Sequence, residues 1–345
     1  MDSALKAIRA FGLPSDTIIT PYGDGLINTT FLVTTMTSKY ILQEINTKVF
    51  PDVVSLCKNN LIVSNHLKKY SRYTVIKYVE RIPGICFVEV SGKYFRMSEF
   101  IESSSSPIDL HSIELTGEAF AEYEEILSTL SEALYNVIPH FHDLRVRLSQ
   151  LDESVSVNYQ NRLLKVTQEL EIIHSFRDEM MSLQEMKDSG ALPIRVAHCD
   201  TKCNNVLFDN NGRVKAIIDL DTTQNEAILS DYGDFLRVAA NTGKEDDMNL
   251  ENVNFNFDVF KSFTKGYLTH SQWLTQIEKE TLAPAVLFFP YMQAVRFLAD
   301  YLNGDTYYHI DYASHNLVRT KAQLKLFLSA RKVYPAIQAT IAQYS

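Results

Sequence analysis

Apolar positions fall in short alternating runs through the first hundred residues and recur mainly at helical spacing thereafter. Ile18 to Tyr22 leads into the turn-forming Gly23-Asp24-Gly25. The β-branched run Thr29 to Thr35 follows, and Lys39 to Ile45 gives a third strand candidate. From about Pro51 to Tyr70, Val53, Val54, Leu56, Leu61, Ile62 and Leu67 predict a helix. Cys86 to Val90 and Lys93 to Phe100 read as two further strands. The first hundred residues therefore predict strands and turns with one helix. Ser103-Ser104-Ser105-Ser106-Pro107 breaks all periodicity, which sets the expected domain boundary between residues 1–102 and 103–345.

Beyond it, Phe120, Tyr123, Ile126, Leu127, Leu130 and Leu134 share one helical spacing, and Leu163, Val166, Leu170 and Ile173 share another. One strand-rich island interrupts them. Val206-Leu207-Phe208 and Ala216-Ile217-Ile218 flank the turn Asp209-Asn210-Asn211-Gly212, a hairpin signal. The pattern predicts an α+β protein with a small β-rich N-terminal part and a large, mainly helical C-terminal part.

Composition narrows the function classes. With 345 residues, 46% hydrophobic and 22% charged, the chain has enough apolar material for two cores and is not extended disorder. The formal charge of −9 and the lack of any basic run argue against nucleic-acid binding. Cys57, Cys86, Cys199 and Cys203 fit no disulfide framework, and charges at the N-terminus fit no secretory leader. The most apolar window, Leu282 to Val295, is interrupted by Pro284 and Pro290 and is shorter than the roughly 20 residues a membrane helix needs. The expectation is a reduced, cytoplasmic protein without a membrane partner.

The polar residues around the hairpin suggest chemistry. His198-Cys199-Asp200-Thr201-Lys202-Cys203-Asn204-Asn205 precedes it, and Ile217-Ile218-Asp219-Leu220-Asp221 closes it. Phosphoryl transfer needs a carboxylate to orient the attacking hydroxyl, oxygen ligands for a divalent metal, and a cation to offset charge on the moving group. Asp200 can supply the base, Asn205 and Asp219 the hard oxygen ligands for Mg²⁺, and Lys202 the cation. A tight hairpin keeps these two clusters close in the chain.

The spacing His-x-Asp-x-x-x-x-Asn followed by Ile-Asp resembles the catalytic and metal-binding loops of aminoglycoside and choline kinase-like phosphotransferases. Further segments resemble the N-acetylhexosamine 1-kinase branch of that family: Tyr22 to Thr30, Tyr40 to Gln43, Pro139 to Asp143, Asp231 to Asp234, Arg296 to Asp305 and His315 to Thr320. The likeness runs through roughly residues 18 to 325. It implies a two-lobed protein-kinase-like fold, with ATP as co-substrate and Mg²⁺ as cofactor, that phosphorylates the anomeric hydroxyl of an N-acetylhexosamine.

Residue by residue, the resemblance implies Asp200 as base, with Asn205 and Asp219 as metal ligands. It makes Gly23, Asp24, Gly25 and Asn28 parts of a phosphate-covering loop. It puts Gln43 where protein kinases carry a phosphate-pairing Lys, Glu99 and Ile101 in an adenine-facing hinge, and Arg296 at the sugar. Two departures stand out: Leu26 occupies a position expected to be polar, and Gln43 is neutral, which departs from the wider superfamily and not from the hexosamine kinase branch. Asp221 reads equally as a second metal ligand, a sugar contact or a cap. His198 reads as structural, His140 and His142 as lobe-interface or cleft-lining residues, Cys199 and Cys203 as fillers, and Asp231 as a cap or an anchor of the catalytic loop. The rivals are a kinase of another small alcohol, a metal-dependent hydrolase built on Asp200, Asp219, Asp221 and His198, and a non-catalytic binding protein.

Overall fold

The computed structural model describes residues 2–14, 16–23, 27–104 and 109–345. Asp24, Gly25, Leu26 and the Ser105 to Pro107 part of the expected boundary lie outside these residues. In chain order the elements are α1 (Asp2–Ala10), β1 (Ile18–Pro21), β2 (Thr29–Thr34), β3 (Lys39–Glu44), α2 (Val53–Tyr70), β4 (Phe87–Val90), β5 (Lys93–Glu99) and α3 (Leu110–Ser128). They continue with α4 (Leu144–Val157), α5 (Thr167–Asp188), β6 (Arg195–Ala197), β7 (Val206–Phe208), β8 (Val214–Ile217) and β9 (Gln224–Glu226). The last are α6 (Leu229–Ala239), α7 (Phe257–Thr269), α8 (Gln276–Leu302), α9 (His315–Lys332) and α10 (Tyr334–Tyr344).

The chain gathers into two compact units. One holds Met1–Pro107, Glu125–Pro139 and Asn205–Asn225; the other holds Ile108–Glu124, His140–Asn204 and Glu226–Ser345. The first is built on a sheet ordered β1-β2-β3-β5-β4, antiparallel throughout. Strand alternation gives it two buried faces. Phe31 and Val33, Leu42, Val88, and Phe95 with Met97 pack against Ala4, Ala7 and Ile8 of α1. Ile45, Tyr78 and Cys86 join a second cluster with Val53, Leu56, Cys57 and Leu61 of α2.

Helix α1 corrects the expectation of a single helix here. Nine residues are too few to hold a helix alone, so α1 depends on docking its small apolar stripe on the sheet. Helix α2 starts at Val53, two residues after Pro51, because the Asp52 carboxylate caps it by accepting the Ser55 N–H at 3.0 Å. The predicted hairpin forms as β7 and β8, with Val206 opposite Ile217. Its turn is closed by Asp209, whose carboxylate accepts the Asn211 and Arg213 N–H groups at 2.8 and 3.0 Å.

The second unit is mainly helical and centres on α8, whose residues are almost all buried. Contrary to the expected interruption, this helix runs 27 residues through both Pro284 and Pro290. Each proline removes a main-chain bond, at about 3 kcal/mol in an ordinary helix. Burial of Leu282, Val286, Phe288, Phe289 and their neighbours holds α8 together across both gaps. By length and composition alone α8 could cross a membrane, yet 83% of its most apolar window is buried inside the fold, as a core helix. Helix α6 lies close against α8 at Gly233, where an added Cβ would come within 2.7 Å of the Ala285 carbonyl oxygen. Two helix limits also differ from the periodicity: α3 ends at Ser128, before Leu130, and Leu163 lies in a 3-10 turn ahead of α5.

Candidate active site

Strand β6 delivers the chain to His198-Cys199-Asp200 in the second unit. Cys199 adopts φ +62°, a left-handed conformation costly for a side chain bearing Cβ. Asp231, in the first turn of α6, holds it there. Its carboxylate accepts the His198 N–H at 2.6 Å and the Cys199 N–H at 2.7 Å, while its carbonyl accepts the Thr201 hydroxyl at 2.7 Å. Asp231 is therefore the loop's anchor, and Ile228 stands at the helix cap position. The His198 ring is fully buried against Phe120 and Tyr123, in a structural role. Cys199 is buried too. Asp200 stays partly exposed, and the Lys202 ammonium lies 2.7 Å from its carboxylate. The proposed base and its proposed cation thus face one another in the same loop.

A second acid stands behind the anchor. Glu124 is fully buried, accepts the Tyr267 hydroxyl, and feels the negative charge of Asp231. Burial first, and then the negative charge of Asp231, push Glu124 well above the usual carboxylate range. Burial also lifts Asp231, and attraction to His198 and the two amide hydrogen bonds offset only part of it, leaving it at about 6. The two buried carboxyls, both raised above the usual range, interact as a pair.

Arg296, on α8, donates to Gln293 Oε1 at 3.1 Å, and its guanidinium lies over the rings of Phe141 and Tyr308. The loop carrying Tyr308 is shaped by Asp300, which accepts the Thr306, Tyr307 and Tyr308 N–H groups at 2.8 to 2.9 Å and the Asn316 amide at 2.9 Å. The two C-terminal sequence segments singled out above thus build one structure, a loop that sets an aromatic ring beside Arg296. His142 is buried against Phe141, Phe289 and Ser230. Exposed His140 pairs with Asp143 at 3.0 Å. Among the described residues no group of three or more His, Cys, Asp or Glu is arranged to hold a metal.

The remaining candidates belong to the first unit. Asn205 is buried, and its carbonyl accepts the Ile218 N–H at 2.9 Å, which brings the start of β7 beside the residue before Asp219. Asp219 itself adopts φ +63°, ψ 61°. Two non-glycine left-handed residues therefore mark this stretch, one preceding the proposed base and one at a proposed metal ligand.

Asp221 is the centre of a buried network. Arg96, from β5, grips it in a bidentate pair, with Nη2 3.0 Å from Oδ2. The amides of Asn28 and Asn60 donate to the same carboxylate at 2.8 and 3.1 Å. Asn28 also accepts the Asn46 N–H at 2.9 Å. Burial alone would raise Asp221, but the Arg96 charge and these hydrogen bonds outweigh it and hold the carboxyl below its usual range. Gln43, half-buried on β3, presents Oε1 to Arg96 Nη2 at 2.6 Å.

Of the phosphate-loop candidates, Gly23 has φ +72°, which favours glycine, whereas Asp24 and Gly25 fall outside the described residues. In the expected hinge, the Glu99 N–H is taken by the Lys77 carbonyl at 2.9 Å and its carboxylate pairs with Lys77; Ile101 follows just past β5. Sequence reasoning missed Arg96, Asn60, Glu124 and Tyr308.

The profile of the phosphotransferase enzyme family, APH, matches residues 18–258, more than half of the chain. Among solved structures, the microcompartment-associated aminopropanol kinase superposes with a TM-score of 0.64 at 13% identity, covering 97% of this chain and 98% of that one. An aminoglycoside phosphotransferase from Alicyclobacillus acidocaldarius gives 0.60 at 14% identity, over 94% and 91%. A spectinomycin phosphotransferase solved with ADP and spectinomycin gives 0.53 at 13% identity, over 93% of each. At these identities the likeness is one of fold: a kinase-like fold with a small antiparallel-sheet lobe and a mostly helical lobe.

Proposed function

Because the chain belongs to the phosphotransferase enzyme family, we propose that it transfers the γ-phosphate of ATP to a small-molecule alcohol, and that the acceptor is the anomeric hydroxyl of an N-acetylhexosamine. The observation that carries the reading is the Asp200 loop. Its strained backbone is fixed by Asp231 through two amide hydrogen bonds, while the Asp200 carboxylate remains partly exposed beside Lys202. Such an arrangement suits a base that receives a hydroxyl proton and a cation that offsets developing charge. The anomeric hydroxyl is more acidic than other sugar hydroxyls, so a carboxylate base suffices.

Asn205 and Asp219 would hold Mg²⁺; an amide oxygen and a carboxylate are the hard donors this ion prefers. When bound, the ion supplies charge neutralisation on the phosphates. The chain's own share is to hold Asp200 at the acceptor hydroxyl and to bind the acceptor through Arg296 with Tyr308. Nucleotide use is supported by the ADP bound to the related spectinomycin phosphotransferase.

Arg296 favours a neutral sugar over the amino alcohol of the related aminopropanol kinase, since a cation opposes a cationic acceptor. The hydrolase alternative loses two of its four residues, because His198 is enclosed by aromatic rings and Asp221 is consumed by Arg96. An ADP-release assay over free sugars, amino alcohols and aminoglycosides tests the reading. Turnover is expected on N-acetylhexosamines; turnover confined to amino alcohols would remove the sugar assignment.

A further inference from the structure

Gln43 is neutral at the position where the resemblance implies a phosphate contact, and β5 carries its partner. Gln43 and Arg96 are directly opposed on β3 and β5. Every polar hydrogen of a guanidinium is a donor, so the Gln43 atom facing Arg96 must be its carbonyl oxygen. The amide NH₂ then points away from Arg96. Arg96 cannot itself serve an anion: it is 2% exposed, and both terminal nitrogens are engaged by Asp221. Gln43 is half-buried, so its NH₂ is the polar group this network can offer to a ligand.

We propose that Arg96, clamped by Asp221, is a positioning residue that locks the Gln43 amide with its NH₂ outward, as the donor to a nucleotide phosphate. The inference rests on the kinase reading. Arg96 and Asp221 cancel in net charge, so the contribution is oriented hydrogen bonding, strengthened because a cation polarises the amide from behind. A single lysine on β3 would supply a full charge; this network supplies direction.

The test uses the full chain and measures binding of adenosine, ADP and ATP by calorimetry beside thermal denaturation. Gln43→Glu keeps an oxygen for Arg96 and turns that contact into an ion pair, so the melting temperature is expected to hold or rise. Its outward atom becomes an acceptor, so ADP and ATP affinity should fall about tenfold or more while adenosine affinity stays unchanged. Arg96→Lys retains a cation for Asp221 but loses the planar fork, and should give a smaller loss restricted to the phosphorylated ligands. A merely structural role for Arg96 predicts a lower melting temperature with the ATP-to-adenosine affinity ratio unchanged, and that result overturns the proposal. So does Gln43→Glu binding ATP and ADP as the wild type does, or losing adenosine equally. If the wild type binds neither ADP nor ATP, the kinase reading itself falls and this inference with it.

Discussion

Two buried aspartates ten residues apart, Asp221 in the first unit and Asp231 in the second, meet opposite electrostatic fates. Both lose their water. Asp221 gains a bidentate arginine and two amide donors, and its pKa falls. Asp231 gains two backbone N–H groups and no fixed cation of that kind, and burial as the main cause lifts its pKa to about 6. Burial raises both carboxyls, and the partners decide whether that rise is outweighed, as at Asp221, or persists, as at Asp231. The first unit spends a full ion pair on locking side chains. The second uses backbone donors to fix the loop that carries Asp200, the proposed base.

The largest test of this contrast removes the cation. Arg96→Met leaves Asp221 buried and unpaired, an expected loss of about 3–5 kcal/mol by chemical denaturation. The double variant Arg96→Met with Asp221→Leu should recover most of it. No recovery would mean that the pair matters for packing rather than for charge.

Next in size, Asp231→Asn keeps one acceptor oxygen for two N–H groups and should cost about 1–3 kcal/mol. The catalytic constant should fall with little change in nucleotide affinity. An equal loss of both would show that Asp231 supports the whole fold and not the loop.

Glu124→Gln sharpens the comparison through pH. The folded pKa of Glu124 lies above its unfolded value, so its contribution is fully present below the unfolded pKa and is lost as pH rises toward the folded one. Glutamine keeps a neutral donor without needing a proton. The variant should match the wild type near pH 4 and become progressively more stable above it, by up to about 1.4 kcal/mol per pH unit. A melting-temperature difference that does not change with pH would refute the raised Glu124 pKa. Tyr267→Phe, removing one hydrogen bond to the same acid, should cost about 1 kcal/mol with little pH dependence.

Much of this was legible in the sequence because the signals are local. Strand alternation in residues 18–99 yields the five strands, and the Asp209–Gly212 turn yields the hairpin. The roles proposed for Asp200, Asn205 and Asp219 rest on residue chemistry, the hairpin between them and the family resemblance. What escaped depends on tertiary partners. Helix α1 is too short to declare itself without the sheet beneath it. Arg96 sits between Phe95 and Met97, where alternation suggests a solvent face; that face is covered, and its carboxylate partner lies 125 residues away. Glu124 looks like an ordinary polar position of an amphipathic helix until Asp231 and Tyr267 close over it. The proline rule misled in α8 because complete burial of a helix can outweigh two missing backbone bonds.

Phosphorus NMR of the purified chain incubated with ATP, Mg²⁺ and an N-acetylhexosamine addresses the central claim most directly, with Asp200→Asn as control. A new phosphomonoester resonance coupled to the anomeric proton, matched by ADP formation and lost in Asp200→Asn, is the predicted result. ATP left intact with every sugar and amino alcohol, or a product formed equally well by Asp200→Asn, would contradict it.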